Sequence, residues 1–259
     1  MAVPASLRVV EANARVYKRT WRGSVITTFL NPVLYMAAMG VGLGNLVDTG
    51  SGSALLDGVS YLSFLAPGLL AAAAMQTGAG DGAYPVMAGM KWTKTYHAAL
   101  ATPIGTRDLV LGHLGWVLAR VILTTVVFAA VMVLFGAAEP AAGLAAVLPA
   151  VLTGLAFAAA VTGYTAALES EYGLSSLFRF GIVPMFLFSG TFFPVTQLPG
   201  WLQPVAYVTP LWHGVELSRA SALGTDPAWP PAVHAAYLGL WVAGGTLVAF
   251  ANFRRRLEK

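Results

Sequence analysis

The chain has 259 residues, 57% of them hydrophobic and only 10% charged, and it contains no cysteine. Soluble domains carry about a quarter charged residues. This composition, with a mean hydropathy of +0.70, therefore predicts an all-α integral membrane protein of one domain, residues 1–259, with no polar stretch long enough to fold as a soluble unit. The absence of cysteine excludes disulfides, thiolate metal sites and cysteine nucleophiles.

Residues 1–23 are polar and basic. Over Ala5–Arg22 the charges Arg8, Glu11, Arg15, Lys18 and Arg22 recur at spacings of three and four, while Val9, Val10, Val16, Tyr17 and Trp21 lie toward the other side. That pattern predicts an amphipathic helix. A basic face backed by aromatic and aliphatic residues suits the surface of an anionic membrane, with Arg15, Lys18, Arg19 and Trp21 as the contacts of this interfacial elbow. The long basic start and the long apolar run after it argue against a cleaved signal peptide.

Six apolar stretches follow: Ser24–Val47, Tyr61–Gly80, Leu109–Phe135, Gly143–Leu168, Arg179–Phe193 and Ala232–Ala251. About 20 helical residues cross a hydrocarbon core of about 30 Å, and most of these stretches reach that length. In the first, Gly40 and Gly44 form a small-xxx-small pair that lets another helix approach closely. The second bends at Pro67-Gly68. The joint of residues 81–108 is too long for a turn. Within it Lys91–Leu100 predicts a short amphipathic helix with Trp92, Tyr96 and Leu100 on one face, ended by Thr102-Pro103. Such a helix serves equally well as a handle for a cytoplasmic partner or as a rest on lipid headgroups. Arg120 lies inside the third stretch, where snorkelling toward the headgroups is the simplest account. The fifth stretch runs into Pro194. Residues 194–230 then hold two short apolar pieces, Trp201–Val208 and Leu211–Leu223, marked off by Pro194, Pro199 and Pro210. Pieces too short to span predict re-entrant or interfacial helices. They form a lid on the outer side, with Trp201 and Trp212 at the starts of its two pieces.

All fifteen basic residues except Arg120 and Arg219 fall on the N-terminal segment, the second and fourth joints, or the C-terminal tail. Lys and Arg favour cytoplasmic loops, so this placement predicts six spans with both termini in the cytoplasm. Asp48, Asp57, Glu139, Glu216 and Asp226 fall on the opposite side. The net charge of +4 is thus a topology signal and gives no reason to expect a nucleic-acid partner.

Three chemistries are weighed from the residues alone. Gly173-Leu174-Ser175-Ser176 is a partial match to a serine nucleophile, with His213 or His234 as a base. The topology sets those histidines a membrane thickness from Ser175, beyond the reach that proton transfer requires. The four histidines, which include His97 and His113, have no metal-ligand spacing. An ion-coupled transporter calls for intramembrane carboxylates and an inverted repeat; every Asp and Glu reads as lying at a joint or an edge. No G-x-x-x-x-G-K-[ST] phosphate loop is present.

Ser189-Gly190, Phe193-Pro194, Leu198-Pro199, Trp201-Leu202, Pro210-Leu211 and Arg219 resemble the C-terminal signature of ABC-2 type exporter permeases. Residues 34–44 and 101–112 resemble the permeases of nodulation lipo-chitooligosaccharide exporters and their drug- and lipid-exporting relatives. The resemblance implies a permease subunit of the bacterial inner membrane that exports an amphiphile: lipid, glycolipid, lipo-oligosaccharide or hydrophobic drug. It implies no catalytic residue, metal or cofactor on this chain, with ATP and Mg bound by a separate ATP-binding-cassette subunit, and a second permease as partner. It makes the joint 81–108 the main coupling region, through Lys91, Trp92, Lys94, Tyr96, Thr102 and Pro103. Glu169 becomes a second contact with the ATPase.

Overall fold

The computed structural model describes residues 4–44, 47 and 58–258, and among them every regular element is helical. Asp48 and Asp57 lie outside the described residues. Helix α1 (Ala5–Tyr35) continues as a π-helical segment over Met36–Leu43. Helix α2 (Tyr61–Met87) continues in the same way over Ala88–Trp92. Then come α3 (Thr95–Leu100), α4 (Thr106–Leu134) and α5 (Pro140–Ala167). Helix α6 (Tyr172–Phe188) contains a π turn at Phe178–Ile182, and α7 (Gln203–Val208), α8 (Pro210–Leu223) and α9 (Pro231–Leu257) complete the chain. Pro32 and Pro85 precede the first two π segments by a few residues. Proline removes an N–H and crowds the carbonyl four residues back, and the ladder re-forms in a wider register.

Among the described residues, four helices are long and apolar enough to cross a membrane: Tyr61–Trp92, Thr106–Leu134, Pro140–Ala167 and Pro231–Leu257. They answer to the second, third, fourth and sixth expected stretches. The other two expectations are corrected. The elbow and the first span are one unbroken helix through Gly23, where no proline or turn residue interrupts the ladder. A lone glycine costs a helix only about 1 kcal/mol. The fifth stretch begins at Tyr172, so Arg179 is helical and not in a joint. It ends at Phe188, because Gly190 takes a left-handed φ of 81° and Pro194 follows.

Helix α2 is the centre of the molecule, with buried residues along its whole length. It meets α5 at van der Waals distance of the backbones: a Cβ on Gly78 would collide with the Gly154 carbonyl, and one on Gly82 would lie 2.9 Å from the Ala158 carbonyl oxygen. Helix α9 approaches α5 just as closely, at Gly245 against Ala160. These are the crossings that small residues make possible in a membrane. The expected pair does not make one within the described residues, since a Cβ on Gly44 would meet nothing within 4 Å. The surroundings of Gly40 lie outside the described residues.

The bundle has two distinct ends. At one, Val9, Val86, Met90, Leu109 and Phe253 bury together, which gathers the start of α1, the end of α2, the start of α4 and the end of α9. At the other, Tyr61, Met132, Ala137 and Ala222 share a cluster. The first and last described helices therefore begin and finish at the same end.

Candidate functional site: a docking face, a lid and a cleft

The expected docking face, which carries the residues read as partner contacts, is the end that holds Val9 and Phe253. Lys91 Nζ donates to the Glu169 carbonyl at 3.0 Å, joining the two loops expected to touch a partner. Lys91, Trp92, Lys94, Thr102, Pro103 and Glu169 are all exposed. The expected helix Lys91–Leu100 is corrected: Lys94 adopts a left-handed φ of 52°, so Trp92 ends α2 and a separate helix starts at Thr95. Trp92 and Tyr96 thus fall on different elements. Tyr96 turns inward, its ring 5.5 Å from Phe253 and pressed on Gly89, and burial pushes its phenol above the ordinary range. Thr102 Oγ1 donates to the Ala99 carbonyl at 2.7 Å and closes the turn before Pro103. The tail of α9 ties the face together. Thr106 Oγ1 donates to Glu258 Oε1 at 2.7 Å, and Arg256 donates to the carbonyls of Ala166 and Leu168. On α1, Arg15 pairs with Glu11 and Trp21 is 46% exposed beside Arg22; Lys18 and Arg19 are exposed as well.

The segment expected to form a lid lies at the other end and has the two short helices that the prolines mark out, α7 and α8. Pro194 precedes a 3₁₀ turn at Val195–Gln197, Pro199 is exposed, and Pro210 opens α8 behind the Thr209 cap, whose hydroxyl accepts from the Trp212 N–H at 3.4 Å. The two tryptophans separate sharply. Trp201 is 75% exposed, whereas Trp212 is buried among Tyr207, Trp229, His213 and His234. Arg219 pins the lid. It donates to the Gly190 carbonyl at 2.8 Å and the Phe64 carbonyl at 3.3 Å, stacks 3.9 Å from the Phe64 ring centroid, and lies 3.5 Å from Glu216. Tyr61 adds a bond to the Phe192 carbonyl at 3.2 Å. The lid is therefore fastened to the first turns of α2.

Between these ends a cavity of about 260 Å³ opens among α1, α2, α4 and α6. Its charged pair corrects the sequence reading. Asp81 is no joint residue: α2 runs on to Trp92, and Arg120 Nε donates to Asp81 Oδ2 at 3.2 Å. The Arg120 guanidinium also rests 4.9 Å from the Tyr17 ring. The apolar stretch looked finished at Gly80 because Asp81 lowers its hydropathy. A partner on the next helix removes the reason to end there, since a paired charge is tolerated inside a bundle. The available signal was an arginine in one span and an aspartate at the margin of its neighbour. The pairing of His213 with His234, Nδ1 to Nδ1 at 2.9 Å, was also missed, because the two are 21 residues apart. Among the described residues neither bonds Ser175, whose backbone N–H donates to the Glu171 carbonyl. Among the described residues no three His, Cys, Asp or Glu side chains gather as a metal site.

The ABC-2 type transporter family matches residues 8–223. Nodulation protein J of Rhizobium meliloti (strain 1021) is 32% identical over 99% of this chain and 97% of its own length. Nodulation protein J of Rhizobium leguminosarum bv. viciae is 32% identical over 98% and 95%. The inner membrane transport permease YadH of Escherichia coli (strain K12) is 24% identical over 81% and 79%. With several membrane-crossing helices and a match over most of its length, the chain belongs to the ABC-2 type transporter family as a membrane-embedded permease subunit.

Proposed function

We propose that this permease exports an amphiphile from the inner side of a bacterial plasma membrane, driven by a separate ATP-hydrolysing subunit and working beside a second permease. Six crossings with both termini in the cytoplasm complete the reading. An even number of passes fits the shared end of α1 and α9, and the basic loops of that end suit the cytoplasm.

The observation that carries the proposal is the continuity of α2. It runs 32 residues from Trp92 on the docking face to Tyr61 and Phe64 beneath the lid, about 48 Å at 1.5 Å per residue. A displacement of the docking face by closing ATPase subunits passes along this buried rod to the Arg219 contact. ATP shifts the permease between two states only through its differential binding to them. Trp92, Lys94, Thr102, Pro103 and Glu169 are the exposed residues for the ATPase to grip. Tyr96 and Lys91 hold the face in shape.

The test is a Trp92→Ala/Lys94→Ala variant, assembled with its ATPase subunit in lipid nanodiscs. Substrate-stimulated ATP hydrolysis and export should both fall about tenfold or more, the scale expected from losing a few contact residues. Unchanged stimulation and export would remove the coupling assignment. The intramembrane Asp81 favours ion coupling as a second reading. Its pairing with Arg120 weighs against that reading, because the guanidinium already neutralises the carboxylate and a transported cation would have to displace it. Export that collapses with a protonophore while ATP is maintained would reverse the preference.

A further inference from the structure

We propose that the groove between α5 and α9 holds one acyl chain of an anionic phospholipid, with the lipid's phosphate at Arg255. The site lies on the outer surface of the bundle, apart from the cleft, and its occupant is a resident lipid of the membrane and not the cargo.

The groove has a volume of about 570 Å³ and is walled by Tyr164 and Ala167 of α5 and by Trp241, Gly244, Val248 and Asn252 of α9. It exists because two successive glycines serve different ends. Gly245 lets the α9 backbone press on Ala160, and Gly244 beside it leaves a hollow, since a Cβ there would meet nothing within 4 Å. Tyr164 and Trp241, both exposed, raise the sides of that hollow. The polar groups of the walls are already engaged. Tyr164 Oη donates to the Gly173 carbonyl at 3.3 Å, Tyr237 Oη to the Val208 carbonyl, and Asn252 Nδ2 to the Gly163 carbonyl at 2.9 Å. What remains for an occupant is apolar, so the groove takes hydrocarbon. From Trp241 to Arg255 the helix rises about 21 Å, and one leaflet of the hydrocarbon core is about 15 Å thick. The groove and the cation at its end thus match the length of one lipid from acyl chain to phosphate.

Charge decides the headgroup. Val248, Asn252 and Arg255 follow one another at spacings of four and three, so Arg255 stands at the end of the groove on the same face. It is exposed and has no hydrogen bond or ion pair among the described residues. The charges around it are matched. Arg254 pairs with Glu258, the only carboxylate on α9, and Glu258 also accepts from Thr106 of α4, which draws both toward α4. At the foot of α5, Glu169 and Glu171 are equalled in number by Lys91 and Arg256, which donate to the carbonyls of Glu169 and of Ala166 and Leu168. Arg255 is the cation left without a counter-charge, at the end of a hydrocarbon groove. A phospholipid with a net negative headgroup supplies both the charge and the chain.

A second permease is the other candidate for this face and fits it worse. Two copies that share one orientation in the membrane and meet through α9 would bring Arg254, Arg255 and Arg256 against the same three residues at the same depth. Close helix packing in a membrane also calls for small residues four apart. The rows at that spacing are Leu240, Gly244, Val248 and Tyr237, Trp241, Gly245, and Gly245 is already against α5.

The experiment places the full-length chain in phosphatidylcholine nanodiscs with a trace of phosphatidylglycerol or phosphatidylcholine, each carrying a diazirine on the same acyl chain. After illumination, labelling of the peptide that contains Trp241 and Val248 is read by mass spectrometry. Phosphatidylglycerol should label it about fivefold more than phosphatidylcholine, the margin of one cation at a membrane surface. Arg255→Gln should bring the ratio to about one, and Arg255→Lys should keep it, which separates charge from fold. Gly244→Phe fills the groove from a position that touches nothing, and should cut labelling by both probes about tenfold. Equal labelling of the native chain, a preference that survives Arg255→Gln, or labelling undiminished in Gly244→Phe each overturns the proposal. So does a peptide that neither probe labels while the rest of the chain is labelled, the result if another polypeptide covers the groove.

Discussion

Arg219 reaches from α8 to the Phe64 carbonyl of α2 and to the Gly190 carbonyl beyond α6, with Glu216 alongside. A buried cation held this way acts as a fastening, because its removal leaves two carbonyls without their donor and a carboxylate without its counter-ion. Arg219→Met retains side-chain length and loses the charge. It should lower stability by about 3 kcal/mol, read as a fall in the thermal unfolding midpoint of the detergent-purified protein. Arg219→Lys should recover only part of that loss, since an ammonium does not reproduce the planar fork or the stacking on Phe64. A midpoint unchanged in Arg219→Met would show that the lid is held by its apolar contacts alone. The sequence marked Arg219 as one residue of a motif. Its two carbonyl partners were invisible, being 155 and 29 positions away.

At the scale of elements, glycines decide how closely helices approach, and which glycines do so is a matter of helix face. Gly244 and Gly245 are neighbours on α9. A Cβ on Gly245 would fall 2.5 Å from the Ala160 amide nitrogen of α5, while one on Gly244 would meet nothing within 4 Å. Gly245→Ala should therefore destabilise by about 1–3 kcal/mol through forced separation of α5 and α9. Gly244→Ala should be neutral or gain up to about 1 kcal/mol from helix propensity. Equal thermal midpoints for the two variants would contradict the α5–α9 register. The same face dependence applies to Gly40-xxx-Gly44, where a Cβ on Gly44 would meet nothing within 4 Å and the surroundings of Gly40 lie outside the described residues. The spacing names a smooth stripe, and the tertiary fold decides whether a helix lies against it.

For the whole molecule the deciding feature is its two unlike ends, one with the basic loops and both terminal helices, the other with the proline-framed lid. The natural chain has no cysteine, so single replacements report sidedness directly. In intact cells Trp201→Cys should react with a membrane-impermeant maleimide. Lys94→Cys should react only after the membrane is opened. Both positions are exposed, so each is available to the reagent on its own side. Reaction of both from outside would break the six-crossing arrangement.

Composition and hydropathy by themselves determined that the chain is an all-helical membrane protein, located four of its crossing helices, and read the lid as two short pieces framed by proline. These properties follow from the local cost of exposing polar backbone or charge to hydrocarbon, and that cost is carried by each segment alone. Tertiary structure decided the rest. It ran α1 straight through Gly23, ended α2 at Trp92, turned Tyr96 inward and paired Asp81 with Arg120. The last two turn on contacts from distant segments, the Phe253 ring against Tyr96 and a guanidinium one helix away from Asp81. A charge reads as the end of a span until its counter-ion is known, and the counter-ion is a property of the packed bundle.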